Sequence, residues 1–322
     1  MTGSVPPEPV AGAQVGESAA DALPVAIEPV ADEHLVAAAE QAGARIVGLD
    51  DARALVWIGG AADFPALPDT VEWVALKTAG IEEFVAAGVL DDKRVWTNAS
   101  GFYAENVAEH ALALLLAGLR QINTSVLRHW DKEPIDTAVR TLRGATVAIV
   151  GAGGIGAALT PRLRACGATV LAVNRSGRPV DGADRTLPSS RMDEVWATAD
   201  HVVLAAPLTP ETRHLINAES LAALPSHAWV VNVARGPLVD QAALVRALRD
   251  GEIAGAALDV TDPEPPSPDD ELWSLPNVII TPHIANPSSG LTREMAPFLA
   301  ENIRRFVAGT ELLSTVDVGR DY

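Results

Sequence analysis

The stretch Gly151-Ala152-Gly153-Gly154-Ile155-Gly156 decides the fold, because of what flanks it. Upstream, Ala145 to Val150 reads ATVAIV, a short apolar run rich in β-branched residues. Downstream, Ile155, Ala158, Leu159 and Leu163 recur at helical spacing as far as Ala165, and after Gly167 a second apolar run covers Thr169 to Val173. The order is strand, glycine turn, helix, strand. A bare G-x-G-x-x-G says little, but inside a βαβ unit it is a strong sign of dinucleotide binding. Gly151 permits the tight turn, Gly153 lets a pyrophosphate approach the backbone, and Gly156 lets the helix pack on the strand. Gly154 and Ile155 complete the turn, where the helix N-terminus offers free N–H groups and its positive dipole end to phosphate.

Outward from this turn the strand–helix rhythm continues. His201 to Ala205, Ala228 to Val233, Ala256 to Val260 and Val278 to Thr281 read as buried strands, with a helix over Asp240 to Arg249 closed by Gly251. Six strands with helical crossovers predict a doubly wound parallel sheet over about residues 100–284. Before it, strands at Val25 to Val30, Arg45 to Leu49, Ala54 to Ile58 and Val71 to Leu76, with a helix at Asp32 to Ala42, predict a second, smaller α/β unit. A long amphipathic helix over Asn106 to Leu119 joins the two. A final helix, about Ser289 to Ala308 and ended by Gly309, is too short for a domain of its own. It is expected to return to the first unit, making a discontinuous domain of 23–99 and 285–322. Residues 1–22 read as a disordered leader without the apolar core of a secretory signal.

With 322 residues, length alone suggests about two domains. The formal net charge of −18 argues against nucleic acid and anionic membranes as partners. The longest apolar run, Ala111 to Leu119, is too short to span a bilayer. Cys166 is the one cysteine, so no disulfide forms within the chain, which fits a reducing cytoplasm. It lies late in an apolar helix and reads as a small core residue.

The cofactor's type is legible after the second strand of the βαβ unit. A carboxylate there normally takes the adenosine ribose hydroxyls. Here the segment is Val173-Asn174-Arg175-Ser176-Gly177-Arg178. Asn174, Arg175, Ser176 and Arg178 would instead hold a 2′-phosphate through charge-assisted bonds. NADP(H) is expected over NAD(H), and no metal is expected.

Three further segments lie at the C-terminal ends of expected strands, where open α/β sheets place their sites. They are Asn232-Val233-Ala234-Arg235-Gly236, Asp259-Val260-Thr261-Asp262-Pro263-Glu264-Pro265 and Thr281-Pro282-His283. Together with Asn106-Val107-Ala108-Glu109-His110 and Pro207-Leu208-Thr209-Pro210-Glu211-Thr212-Arg213, they make the chain resemble the D-isomer-specific 2-hydroxyacid dehydrogenases. The resemblance runs from about Val71 to the C-terminus and implies a Rossmann domain beside a smaller, flavodoxin-like α/β domain.

Reducing a 2-oxo acid needs a hydride from the nicotinamide, a proton for the carbonyl oxygen and a clamp for the carboxylate. His283 suits the general acid, since an imidazole titrates near working pH. Glu264 would orient the ring and balance its charge. Arg235 can hold the carboxylate in a bidentate pair and polarise the carbonyl. The resemblance implies the same three roles. It also implies that Asp259 lies near the nicotinamide carboxamide and that Pro207, Thr209 and Ala234 line the cofactor cleft.

The turn Thr78-Ala79-Gly80 is expected to offer N–H groups to the substrate carboxylate as an anion nest, with Lys77 beside it. Trp57 and Trp130 are candidates for the pocket wall, with core packing the alternative. His110 lies on an apolar helix face and reads as structural. Asn286 stands where a small residue is expected.

Within the family, the cofactor loop, Ala54-Leu55-Val56-Trp57 and the closing run from Val316 to Tyr322 are similar to NADPH-dependent glyoxylate/hydroxypyruvate reductases. The chain's end close to its Rossmann unit argues against the branch with added C-terminal domains. A phosphite dehydrogenase, and a dinucleotide-sensing corepressor that acts by binding partners, are the alternatives. The helices at 106–119 and 289–308 resemble those that cross between subunits in the family, which implies a homodimer. Hinges are expected at Gly101 and Glu105 and near Ala285.

Overall fold

The computed structural model describes residues 22–319 except 129 and 288. All but the last residue of the expected leader therefore lie outside the described residues. The strands are β1 (Leu23–Glu28), β2 (Ala44–Ile46), β3 (Ala54–Trp57), β4 (Trp73–Leu76), β5 (Val95–Thr97), β6 (Thr146–Val150), β7 (Thr169–Asn174), β8 (Arg185–Pro188), β9 (His201–Leu204), β10 (Trp229–Asn232), β11 (Gly255–Leu258) and β12 (Val278–Ile280). The helices are α1 (Glu33–Gln41), α2 (Glu82–Ala86), α3 (Ala104–Leu119), α4 (Ile122–Leu127), α5 (Lys132–Ala138), α6 (Gly154–Ala165), α7 (Met192–Thr198), α8 (Ala218–Ala223), α9 (Gln241–Asp250) and α10 (Leu291–Val307).

The strands form two sheets, both parallel throughout. One has the order β2-β1-β3-β4-β5, the other β12-β11-β10-β9-β6-β7-β8. The fold is thus α/β with a doubly wound sheet and a smaller second one, as expected. In the larger sheet, chain order reverses between β6 and β9, and the C-terminal ends on either side of that point form the crevice where such sheets bind ligands. Its central strands are apolar without alternation because both faces are covered. One face packs Leu221, Leu244 and Leu248, the other Leu115, Leu159 and Leu163.

Helix α3 approaches β10 closely through Gly118, where a Cβ would fall 2.4 Å from the Trp229 ring. Helix α10 packs on α1. Met295, Leu299 and Ile303 share one core with Leu35 and Ala39, and the Thr292 hydroxyl donates to Asp32 at 2.9 Å. The Asp32 carboxylate also caps α1, accepting from the backbone of His34 and Leu35.

Two strands escaped the sequence reading, β5 and β8. Both lie at sheet edges. Strand β8 buries Leu187 alone, and β5 is three residues long, so neither carries a periodic apolar signal. No helix among the described residues is long and apolar enough to cross a membrane.

Candidate active site

Arg235 follows β10, and the backbone there is set by Asn232. That fully buried amide accepts from Ala234 N at 3.0 Å and donates to the Arg235 carbonyl at 2.8 Å. Gly236 lets this loop lie on the one after β11. A Cβ at 236 would stand 1.9 Å from the Thr261 carbonyl oxygen. From this base Arg235 reaches across to the smaller sheet's unit. A Cβ on Gly80 would be 1.9 Å from its Nη2, so the guanidinium rests on the turn that follows β4.

That turn is aimed by its carbonyls. The Lys77 carbonyl accepts from the Tyr103 hydroxyl, Thr78 from Ala99 N at 2.9 Å, and Ala79 from the Asn98 amide at 2.6 Å. In a planar trans peptide the next N–H points the opposite way. The N–H groups of Thr78, Ala79 and Gly80 therefore face away from residues 98–103, as an anion nest requires. Burial pushes the Tyr103 phenol up to about 12, which keeps it a donor. Lys77 is half-buried, and its ammonium makes no ion pair among the described residues.

Glu264 and His283 meet although their loops follow different strands. Glu264 Oε1 lies 2.6 Å from His283 Nδ1, both side chains about half exposed. Nε2 is left for other chemistry. His283 takes a left-handed backbone conformation, φ +50°, and its N–H donates to the Asp259 carbonyl at 2.9 Å.

Asp259 then holds the far side of the same turn. Its carboxylate accepts from Ile284 N at 3.0 Å, Ala285 N at 2.9 Å and the Thr281 hydroxyl at 2.5 Å. His110 Nε2, from α3, stands 3.3 Å from that carboxylate and 3.0 Å from Thr281 Oγ1. The Asp259 side chain is 1% exposed. The carboxylate is buried, and its bonds shape the His283 turn. Asn286 accepts from the Asn106 amide at 3.0 Å, a second tie between this loop and α3.

Trp57 takes the core-packing alternative. It is 2% exposed, its indole N–H donates to the Gly60 carbonyl at 3.0 Å, and it meets Phe64 edge-on with ring centroids 5.3 Å apart. It packs the core of the smaller unit. Trp130 is 91% exposed.

At the glycine turn, Gly151 has φ +93°, and a Cβ on it would fall 2.2 Å from Ala206 N. Gly156 faces Ala152 and Ile149 at 3.0 and 3.2 Å. A Cβ on Gly153 would meet nothing within 4 Å, so the backbone there is open to an approaching group. Gly154 faces Gly101 and Ala104, and Ile155 is half-buried against the α3 core.

After β7, the Asn174 amide closes the loop on itself. It accepts from Arg178 N at 3.1 Å and donates to the Arg178 carbonyl at 2.7 Å, with the Ser176 hydroxyl at 3.4 Å. Arg175 and Arg178 are exposed, and neither makes an ion pair among the described residues. The Pro207 carbonyl accepts from the Thr212 hydroxyl, which also accepts from Thr209 N, both at 2.7 Å. Ala234 is buried beside Asn232.

One residue that sequence reading missed stands in the middle of this site. Glu82, at the start of α2, accepts from Arg235 Nε at 2.9 Å. The partners are 153 positions apart, and no motif announces the pairing.

Known proteins bear on this geometry. The family model described as "D-isomer specific 2-hydroxyacid dehydrogenase, NAD binding domain" matches residues 111–285. An uncharacterized protein in the proB 3′ region of Corynebacterium melassecola is 42% identical over 281 residues, 86% of this chain and 92% of that one. A glycerate dehydrogenase of Methylorubrum extorquens is 34% identical over 253 residues, 76% of this chain and 78% of that one. The solved NADPH-dependent glyoxylate/hydroxypyruvate reductase of Sinorhizobium meliloti, in complex with NADP and sulfate, superposes with a TM-score of 0.79 at 27% identity, covering 93% of this chain and 100% of its own. With the strand-end loops, the glycine turn and these matches taken together, the chain belongs to the D-isomer-specific 2-hydroxyacid dehydrogenase family of NAD(P)-dependent oxidoreductases.

Proposed function

We propose that the protein is an NADPH-dependent reductase of small 2-oxo acids, with glyoxylate and hydroxypyruvate its foremost substrates, and that Arg235, Glu264 and His283 carry the reaction. One observation supports this above the others: the Arg235 guanidinium rests on Gly80, so a clamp for a carboxylate and a nest of N–H groups converge at one point. A dinucleotide fits the glycine turn, because an alanine Cβ at 153 would fill open space beside the α6 N-terminus. When bound, the nicotinamide supplies or accepts the hydride. Gly151, Gly153, Gly154, Ile155 and Gly156 would hold the pyrophosphate. Arg175 and Arg178, exposed and without ion pairs among the described residues, would take the 2′-phosphate of NADP(H).

The chain's own residues do the rest. Arg235 and the 78–80 turn hold and orient the substrate carboxylate. His283, braced at Nδ1 by Glu264, holds a proton at Nε2 for the carbonyl oxygen and takes it back in the oxidative direction. The two sheets would act as separate domains, 23–99 with 285–322 against 100–284, closing over the cleft to exclude water.

The test follows loss of reduced-nicotinamide absorbance with NADPH and NADH in turn, offering glyoxylate, hydroxypyruvate, pyruvate and a phenyl-substituted 2-oxo acid. Turnover is expected with NADPH and either glyoxylate or hydroxypyruvate. Arg175→Ala should raise the NADPH dissociation constant about tenfold, the worth of one exposed charge-assisted bond, and leave NADH unchanged. An equal loss for both cofactors would remove the 2′-phosphate role. Tight dinucleotide binding with no turnover of any acid would favour a sensor instead.

The oligomer proposed is a homodimer built around α3. Ile122, Val126, Leu127 and Trp130 lie exposed just beyond it, an apolar surface of the kind that marks an interface. Sedimentation should give twice the chain mass, and Val126→Asp should shift it to the monomer; a native monomer would end this reading.

A further inference from the structure

We infer that Glu82 is a positioning residue for Arg235, holding the guanidinium so that its free N–H groups face the 78–80 turn. The inference rests on the carboxylate-clamp role proposed for Arg235. A guanidinium carries five N–H donors in a planar fork. Nε donates to Glu82 Oε1 at 2.9 Å, Nη1 to the Ala234 carbonyl at 2.7 Å, and Nη2 lies 3.5 Å from Glu82 Oε2. The first two bonds restrain the guanidinium at two of its three nitrogens. They leave an N–H on each terminal nitrogen, and Nη2 is the one against Gly80. A long, flexible side chain is thereby held in one of its many rotamers before any substrate arrives, which lowers the entropy lost on binding.

The pair is poorly suited to a purely structural role. Both side chains are about one third exposed, and an ion pair so open to solvent adds little stability. Its location matters more than its strength. Glu82 belongs to the element after β4 and Arg235 to the loop after β10, so the contact spans the two units that must come together around a substrate. Glycine at 80 is part of the same device, because any side chain there would occupy the position of Nη2 and abut Glu82 Oε2 at 2.4 Å. The turn, the carboxylate and the guanidinium form one assembly in which each fixes the next.

The experiment uses the full chain saturated with NADPH. It measures the dissociation constant of oxamate, an unreactive isostere of a small 2-oxo acid, by calorimetry, together with KM and kcat for the best substrate. Glu82→Ala should lower kcat/KM by about 10- to 100-fold, the range that a misplaced clamp produces. Most of that loss should appear as weaker oxamate binding and higher KM, with NADPH affinity and Tm unchanged. Glu82→Gln keeps an acceptor for Nε and should recover most of it. Oxamate affinity unchanged in Glu82→Ala would overturn the inference. Tighter binding would overturn it too, since Glu82 would then be competing with the substrate for Arg235. If the native protein neither reduces a 2-oxo acid nor binds oxamate, the clamp reading itself fails and takes this inference with it. Oxamate binding that ignores Glu82 removes the positioning role alone.

Discussion

His283→Asn lowers kcat by about 10²- to 10⁴-fold, the range lost with a general acid, while NADPH binds as before. Asparagine is the informative replacement because residue 283 has φ +50°. Asparagine adopts the left-handed region more readily than most other residues with a Cβ. The turn held by Asp259 therefore survives, and the deficit is chemical. The side chain is half exposed, so little packing is lost. What disappears is a ring braced at Nδ1 by Glu264 at 2.6 Å with Nε2 available to the substrate. Asparagine's amide can donate a hydrogen bond but cannot release a proton near neutral pH. Steady-state kinetics and a fluorescence titration with NADPH separate the two effects. A variant retaining more than about a tenth of native kcat would show that the proton comes from elsewhere.

Gly153→Ala should lose dinucleotide affinity at only a small cost in stability. The new Cβ meets no protein atom within 4 Å, but φ −89° with ψ −139° at 153 lies outside the main regions of an L-residue, at a cost of about 1–3 kcal/mol. Thermal unfolding should move down by a few degrees, the effect of about 1–3 kcal/mol in a chain of this size. The methyl group stands where the pyrophosphate is proposed to approach, so at least one charge-assisted bond from the turn is stretched or broken. At about 1.5–3 kcal/mol for such a bond, the dissociation constant for NADPH rises roughly 10- to 100-fold. Gly151→Ala is the control, since its Cβ would lie 2.2 Å from the Ala206 backbone at φ +93°. That variant should unfold at lower temperature or fail to accumulate. Native NADPH affinity in Gly153→Ala would mean that the turn is structural alone.

These cases separate two kinds of information. The glycine turn was legible because every part of it is local. A β-branched run, glycines at fixed offsets and a 3.6-residue period lie within thirty residues and act on one another directly. The central strands were legible for a related reason: burial on both faces demands unbroken apolar runs. Strands β5 and β8 were missed because an edge strand buries few side chains.

The sequence alone determined the α/β class, the glycine turn and the presence of an arginine, a glutamate and a histidine at strand ends. Those features follow from short-range patterning and from the rule that parallel strands deliver their loops to one edge. Only the tertiary structure decided what each side chain touches. It buried Trp57 in the smaller core, turned Asp259 onto the backbone beyond His283, and set Glu82 against Arg235 from 153 positions away. A side chain's partner depends on how two units pack, and no spacing within one segment encodes a contact made across the gap between them.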